Sequence, residues 1–192
     1  MKIYFAGPLF TPYVRTYISQ QAEVLRQHGI DPFVPHESFR PVVSAETAQM
    51  LVKRGLIDAA QAAGPDLPRL VDELTWDSKV SRAELGLSQL TPEEIFRRDY
   101  EGLSSADAVL ALLDGSQTDD GTACEIGIFY GLMRQDPGKK GVVGLMTDFR
   151  GINRADHGFG TNLFVWGVIE ECGVLVGSFE EALAQLKAWD TP

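Results

Sequence analysis

The chain has 192 residues, 44% hydrophobic and 23% charged, enough to fill and cover one core, which excludes a mainly disordered or fibrous protein. Acidic residues outnumber basic ones 27 to 17, a formal charge of -10, so the global field disfavours long nucleic acid and anionic lipid as partners. Neither cysteine, Cys124 or Cys172, has a metal-ligand spacing, and the start MKIYFAGPLF is too short in apolar run for a secretory signal or a membrane span; a cytoplasmic protein without a zinc site is expected.

Lys2 to Ala6 reads as a strand, and Thr11-Pro12 supplies an N-cap with proline at the first helical position. The helix that follows is expected over roughly Pro12 to Gln27, with Val14, Ile18, Ala22 and Leu25 on one face, ending at His28-Gly29. Asp31 to Pro35 offers a short second strand. From about 39 to 88 the pattern turns helical without strands, with segments near Ala45 to Ala62 and Leu67 to Trp76. That stretch is read as a helical insertion within a single domain covering 1–192.

Thr91-Pro-Glu-Glu94 marks the next helix start by capping box and proline, and this helix carries Asp99. Ala108 to Leu113 reads as a buried strand, Asp114 to Asp120 as a polar turn, and a helix is expected from near Gly121. A strand at Val142 to Met146, an irregular Gly-rich stretch from Asp148 to Gly160, a short helix around Leu163 to Ile169 and a strand at Val174 to Val176 complete the alternation. Ser178 to Glu181 is a second capping box, opening a helix to about Trp189. Five strands alternating with helices imply an α/β fold with a mainly parallel sheet covered on both faces and a ligand crevice beyond the strands' carboxyl ends.

Three segments can bring chemistry to that crevice. Glu125 falls in the first turns of the helix from Gly121, where the helix dipole and free N–H groups favour an ionised carboxylate suited to nucleophilic attack; the plainer alternative is that it only complements the dipole while Asp119 or Asp120 caps. Gly121 and Gly127 present no Cβ to an approaching ring. Asp99 is either a second carboxylate in the crevice or a surface group beside Arg97 and Arg98. The loop Phe5 to Phe10 has no phosphate-cradling glycine pattern. Tyr4 or Phe10 offers either aromatic contact with a planar ring or core packing. His28, His36 and His157 show no ligand spacing.

The runs IYFAG at 3–7, DYEGLSSAD at 99–107, DDGTACEIG at 119–127 and TNL at 161–163 together resemble the nucleoside 2-deoxyribosyltransferase family. The resemblance implies a flavodoxin-like three-layer fold and exchange of the base of 2′-deoxyribonucleosides through a covalent deoxyribosyl-glutamate. Free nucleobases are the second substrate, and no cofactor or metal is implied. Glu125 matches the nucleophile, Asp99 and Asp119 the aspartates at the base, and Tyr4 a tyrosine that orients the glutamate. Gly7, Phe10, Asp120 and Gly121 fall in the substrate site. Asn162 resembles an asparagine lent to a neighbouring subunit, which implies a homo-oligomer. One of Asp99 and Asp119 is expected to hold a proton beside an anionic Glu125. Two other activities fit the same residues: an N-glycosidase in which water resolves the intermediate, and a non-catalytic nucleotide-sensing domain.

Overall fold

The computed structural model describes residues 1–148 and 160–191; residues 149–159, with His157 and most of the expected Gly-rich stretch, lie outside the described residues. The chain divides into two compact units, 1–35 with 97–192, and 36–96.

The larger unit holds strands β1 (Lys2–Ala6), β2 (Asp31–Phe33), β3 (Ala108–Leu112), β4 (Gly141–Leu145) and β5 (Gly173–Val176). All pair in parallel, in the order β2-β1-β3-β4-β5. Side chains alternate across this sheet, as the two-residue period of a strand requires. Ile3, Phe5, Leu110, Leu112, Val143 and Leu145 face one way. There they meet Ile18, Ala22 and Leu25 of α1 (Pro12–Gln27) and Ala182 and Leu186 of the last helix, Phe179–Asp190. Tyr4, Ala6, Val109, Ala111 and Val142 face the other way, against Leu103, Ile126, Phe129 and Ile169. The expected α/β fold, helices on both faces of a five-stranded sheet, is thus observed, with every strand parallel.

The strand order has a functional consequence. From β1 the chain moves outward to β2 and later returns to β3 on the other side of β1. Connections leaving β1 and β3 therefore run in opposite directions and open a crevice at their carboxyl ends, the usual ligand position of this flavodoxin-like order.

Local signals explain the element ends. Thr11 accepts from Val14 N at the start of α1, and Gly29, with φ +77°, follows its end. Arg15 is buried in the same helix and donates to Leu9 O at 2.9 Å, a tie that hydrophobic patterning gave no hint of.

The unit 36–96 has its own apolar cluster, centred on Leu51 and Val71. Beyond a short turn, α2 (Pro35–Ser38), the single helix expected over Ala45 to Ala62 is in fact two, α3 (Ala45–Lys53) and α4 (Ala59–Ala63). Gly55, at φ +70°, stops the first, and Asp58 opens the second through a reciprocal capping box with Gln61. Helix α5 (Leu67–Trp76) lies where expected, and Thr91 and Glu94 form the expected box before α6 (Pro92–Ser105).

Candidate active site

Tyr4 occupies the β1 position level with Phe33 of β2, and the two rings stack with centroids 5.3 Å apart. Gly102 of α6 makes room for this pair: a Cβ there would stand 2.6 Å from the Phe33 ring. The Tyr4 side chain is fully buried, and its hydroxyl donates to Glu125 Oε1 at 2.5 Å. Burial, then the Glu125 and Asp99 carboxylates, hold the phenol far above its ordinary proton affinity, so it acts as a donor and not as an anion.

Glu125 belongs to α7 (Asp120–Met133), whose start is fixed by Asp119: Oδ2 accepts from Thr122 N at 3.0 Å and from Thr122 Oγ1 at 3.2 Å. Burial pushes the Glu125 carboxyl up to about 8; the Tyr4 hydrogen bond favours the anion, while the charges of Asp99 and Asp119 add to the rise. Asp99, on α6, is raised to about 6 by burial, and its Oδ1 is buried without a hydrogen-bond partner among the described residues. Glu125 therefore lies within electrostatic reach of Asp99, Asp119 and the Tyr4 phenol. The proton prefers Glu125 over Asp99, the reverse of what the helix-dipole argument leads one to expect. Removing the carboxylate from water costs more than the dipole of the first turns returns.

The remaining residues divide by location. Phe10, Asp119 and Asp120 line an open cavity of about 400 Å³ with Pro8, Asp114 and Gln117, and Phe10 is 78% exposed. Asp120 accepts from Gly121 N at 2.9 Å. A Cβ on Gly121 would stand 3.1 Å from Asp119 Oδ2, whereas one on Gly127 would meet nothing within 4 Å among the described residues. Gly7 is dictated by packing, since its Cβ would lie 2.9 Å from Ile18 Cδ1. Asn162 caps α8 (Leu163–Cys172), its Oδ1 accepting from Phe164 N at 2.8 Å, and stands exposed beside exposed Leu163 and Phe164.

Cys124 is exposed, and among the described residues no group of three His, Cys, Asp or Glu side chains is arranged to hold a metal ion, nor is any helix long and apolar enough to cross a membrane. Phe33 is a site-supporting residue that sequence patterning missed. Its stack depends on strand register, which a short apolar run does not reveal.

The profile of the family described as nucleoside 2-deoxyribosyltransferase matches residues 3–164. A solved structure of a conserved protein from Enterococcus faecalis V583 is 25% identical, with a TM-score of 0.61 over 98% of this chain and 98% of that one. The 2-deoxyribosyltransferase from Bacillus psychrosaccharolyticus is 21% identical, with a TM-score of 0.52 over 95% of this chain and 90% of its own. The 2-desoxiribosyltransferase from Leishmania mexicana is 18% identical, with a TM-score of 0.53 over 96% of this chain and 95% of its own. These last two show a shared fold. No curated protein matches the sequence.

Proposed function

The chain belongs to the nucleoside 2-deoxyribosyltransferase family, and we propose on that premise that it exchanges the base of 2′-deoxyribonucleosides with a free nucleobase, through a deoxyribosyl ester on Glu125. The observation that carries this reading is the Tyr4 hydroxyl bonded to a half-buried Glu125 whose proton affinity responds to Asp99 and Asp119.

Breaking the N-glycosidic bond builds positive charge at C1′, which a carboxylate beneath the sugar stabilises and then captures. In the first half-reaction the C1′–N bond breaks, its electron pair leaves with the base, and the base takes a proton from Asp99. The C1′–O bond to Glu125 forms as that bond fails. An incoming base reverses each step and returns its proton to Asp99. Tyr4 delocalises the carboxylate charge and holds Oε1 still, leaving Oε2 for the sugar. Asp119 spends Oδ2 on the helix cap, which leaves Oδ1 for the base, and Phe10 stacks on it at the cavity rim. Among the described residues, the cavity beside Asp119 is lined by Asp114, Asp119 and Asp120 and by no Lys, Arg or His, a lining that favours an uncharged nucleoside over a 5′-phosphate.

Asn162 in this reading reaches the sugar of a neighbouring subunit. Its support is position: it stands on the surface next to Leu163 and Phe164, which are 61% and 83% exposed, apolar area suited to a second copy. Sedimentation should find a dimer or larger.

Incubating the protein with deoxyinosine and free adenine tests the activity, with deoxyadenosine followed by chromatography. Intact mass after deoxyinosine alone should show a deoxyribose-sized adduct that maps to Glu125. Absence of new nucleoside across all common bases, from folded protein, would reject the reading.

A further inference from the structure

Asp119 and Asn162 are alike in one respect: each side chain caps a helix, α7 and α8 respectively. Each is also preceded by a buried threonine, Thr118 at 9% and Thr161 at 7% exposure. The hydroxyls of these two threonines are hydrogen-bonded to each other, 43 positions apart along the chain. A threonine ahead of a helix commonly spends its hydroxyl on its own backbone. Here the following residue does the capping in both cases, and the two hydroxyls meet where water is excluded. One hydrogen bond, a single residue removed from each cap, therefore joins the starts of α7 and α8. The far end of the same loop is held as well. Asp114 accepts from Thr147 N at 2.6 Å and from Thr147 Oγ1, and Gly115 N donates to Asp148 Oδ2 at 3.0 Å.

We propose that Thr118 and Thr161 are positioning residues whose hydroxyl pair fixes the spacing of Asp119 and Asn162, so that a base-binding carboxylate and a sugar-binding amide move as one body. The roles given to Asp119 and Asn162 rest on the function proposed above. Because Asn162 there serves the neighbouring subunit, the pair ties the base subsite of one active site to the sugar subsite of the next. Losing it should weaken substrate positioning more than the chemistry at Glu125.

The test uses Thr118→Val, Thr161→Val, the double variant and Thr118→Ser. Each single valine leaves one buried hydroxyl unpaired, whereas the double variant leaves none and should recover most of the melting temperature lost by the singles. Residue-resolved hydrogen exchange should show Thr161→Val accelerating exchange at the Thr122 amide, and Thr118→Val at the Phe164 amide, each by roughly fivefold, as expected for one lost hydrogen bond. The double variant should keep a KM for deoxyinosine raised about tenfold with kcat nearly unchanged, the pattern of lost substrate binding, and Thr118→Ser should keep the wild-type KM. A double variant with wild-type KM, or single variants that leave the partner cap's exchange unchanged, would overturn the proposal. If the wild type performs no base exchange, the proposed function fails separately. The pair is then judged on the two amide exchange rates and on the calorimetric Kd for deoxyinosine, which should rise in the double variant.

Discussion

Tyr4 and Glu125, 121 positions apart, meet in a 2.5 Å hydrogen bond from the phenol of β1 to the carboxylate of α7. The bond joins β1 to the helix that follows β3, at the sheet's crossover point, and it favours the anion of a carboxyl that burial nevertheless keeps protonated up to about 8. Two consequences for rate against pH follow from this opposition.

Glu125 releases its proton at about 8 and Asp99 at about 6. Below the lower value both are neutral and no nucleophile exists; above the higher, both are ionised and no acid remains. The profile of kcat/KM for base exchange should be a narrow bell with limbs near these values, which belong to the pair and not to either residue alone. Between the limbs the one shared proton must sit on Asp99, the minor arrangement. Asp99→Asn should abolish the alkaline fall and reduce the rate by roughly 10²- to 10⁴-fold, the usual contribution of a general acid. An alkaline limb retained in that variant would show that another group supplies the proton.

Tyr4→Phe removes the donor and leaves the ring. The proton then binds Glu125 more tightly, so the upper limb should move to higher pH while the lower limb stays in place. The optimum rate should drop by roughly 10- to 100-fold, the worth of a hydrogen bond to a charged group. Steady-state rates from pH 5 to 10 measure both effects, and a lowered rate with unmoved limbs would mean that the phenol does not act on the Glu125 charge.

Signals confined to a few neighbouring residues were legible before the structure. Thr11-Pro12, the Thr91 box, the Asp119-Asp120 pair, of which Asp119 proves to be the cap, and the buried run at 108–112 each declare an element through adjacent chemistry. The Asp58 to Gln61 box was equally local, yet the helical pattern around it concealed the break at Gly55. Features made by distant segments were not legible. The Phe33 stack, the Thr118–Thr161 pair and the buried Arg15 depend on which strands and loops become neighbours. Proton order at Glu125 and Asp99 was hidden for the same reason, since depth of burial decides it.

Gly102→Ala isolates the support behind Tyr4. An added methyl would sit 2.6 Å from the Phe33 ring, which cannot retreat without disturbing its stack on Tyr4. Alanine improves helix propensity by about 1 kcal/mol, but overpacking of this kind costs about 1–3 kcal/mol, so the net effect should be a lower melting temperature with reduced transfer activity. Adding Phe33→Leu should recover part of the stability by freeing space, yet not the activity, because Tyr4 then lacks its stacking partner. Unchanged melting in Gly102→Ala would show that the ring has room to move.

Glu125→Gln should make the protein more stable at alkaline pH. The folded chain keeps the Glu125 proton up to about 8, whereas an exposed glutamate releases it near 4.5. The folded state therefore binds more protons than the unfolded state between those values, and wild-type stability falls as pH rises through the window. The stabilising neutral form is fully present below the lower value and is lost above the upper one. Glutamine mimics that neutral carboxyl, can accept the Tyr4 hydrogen bond and does not titrate. Melting temperatures of wild type and variant should coincide near pH 4.5 and separate progressively, the variant melting higher by several degrees at pH 8.5, equivalent to on the order of a few kcal/mol. Asp99 contributes a smaller slope of the same sign to both proteins, so it cancels from the difference. A gap that stays constant with pH would mean that Glu125 is already ionised in the folded chain, and the minor-arrangement account of the rate profile would fall with it.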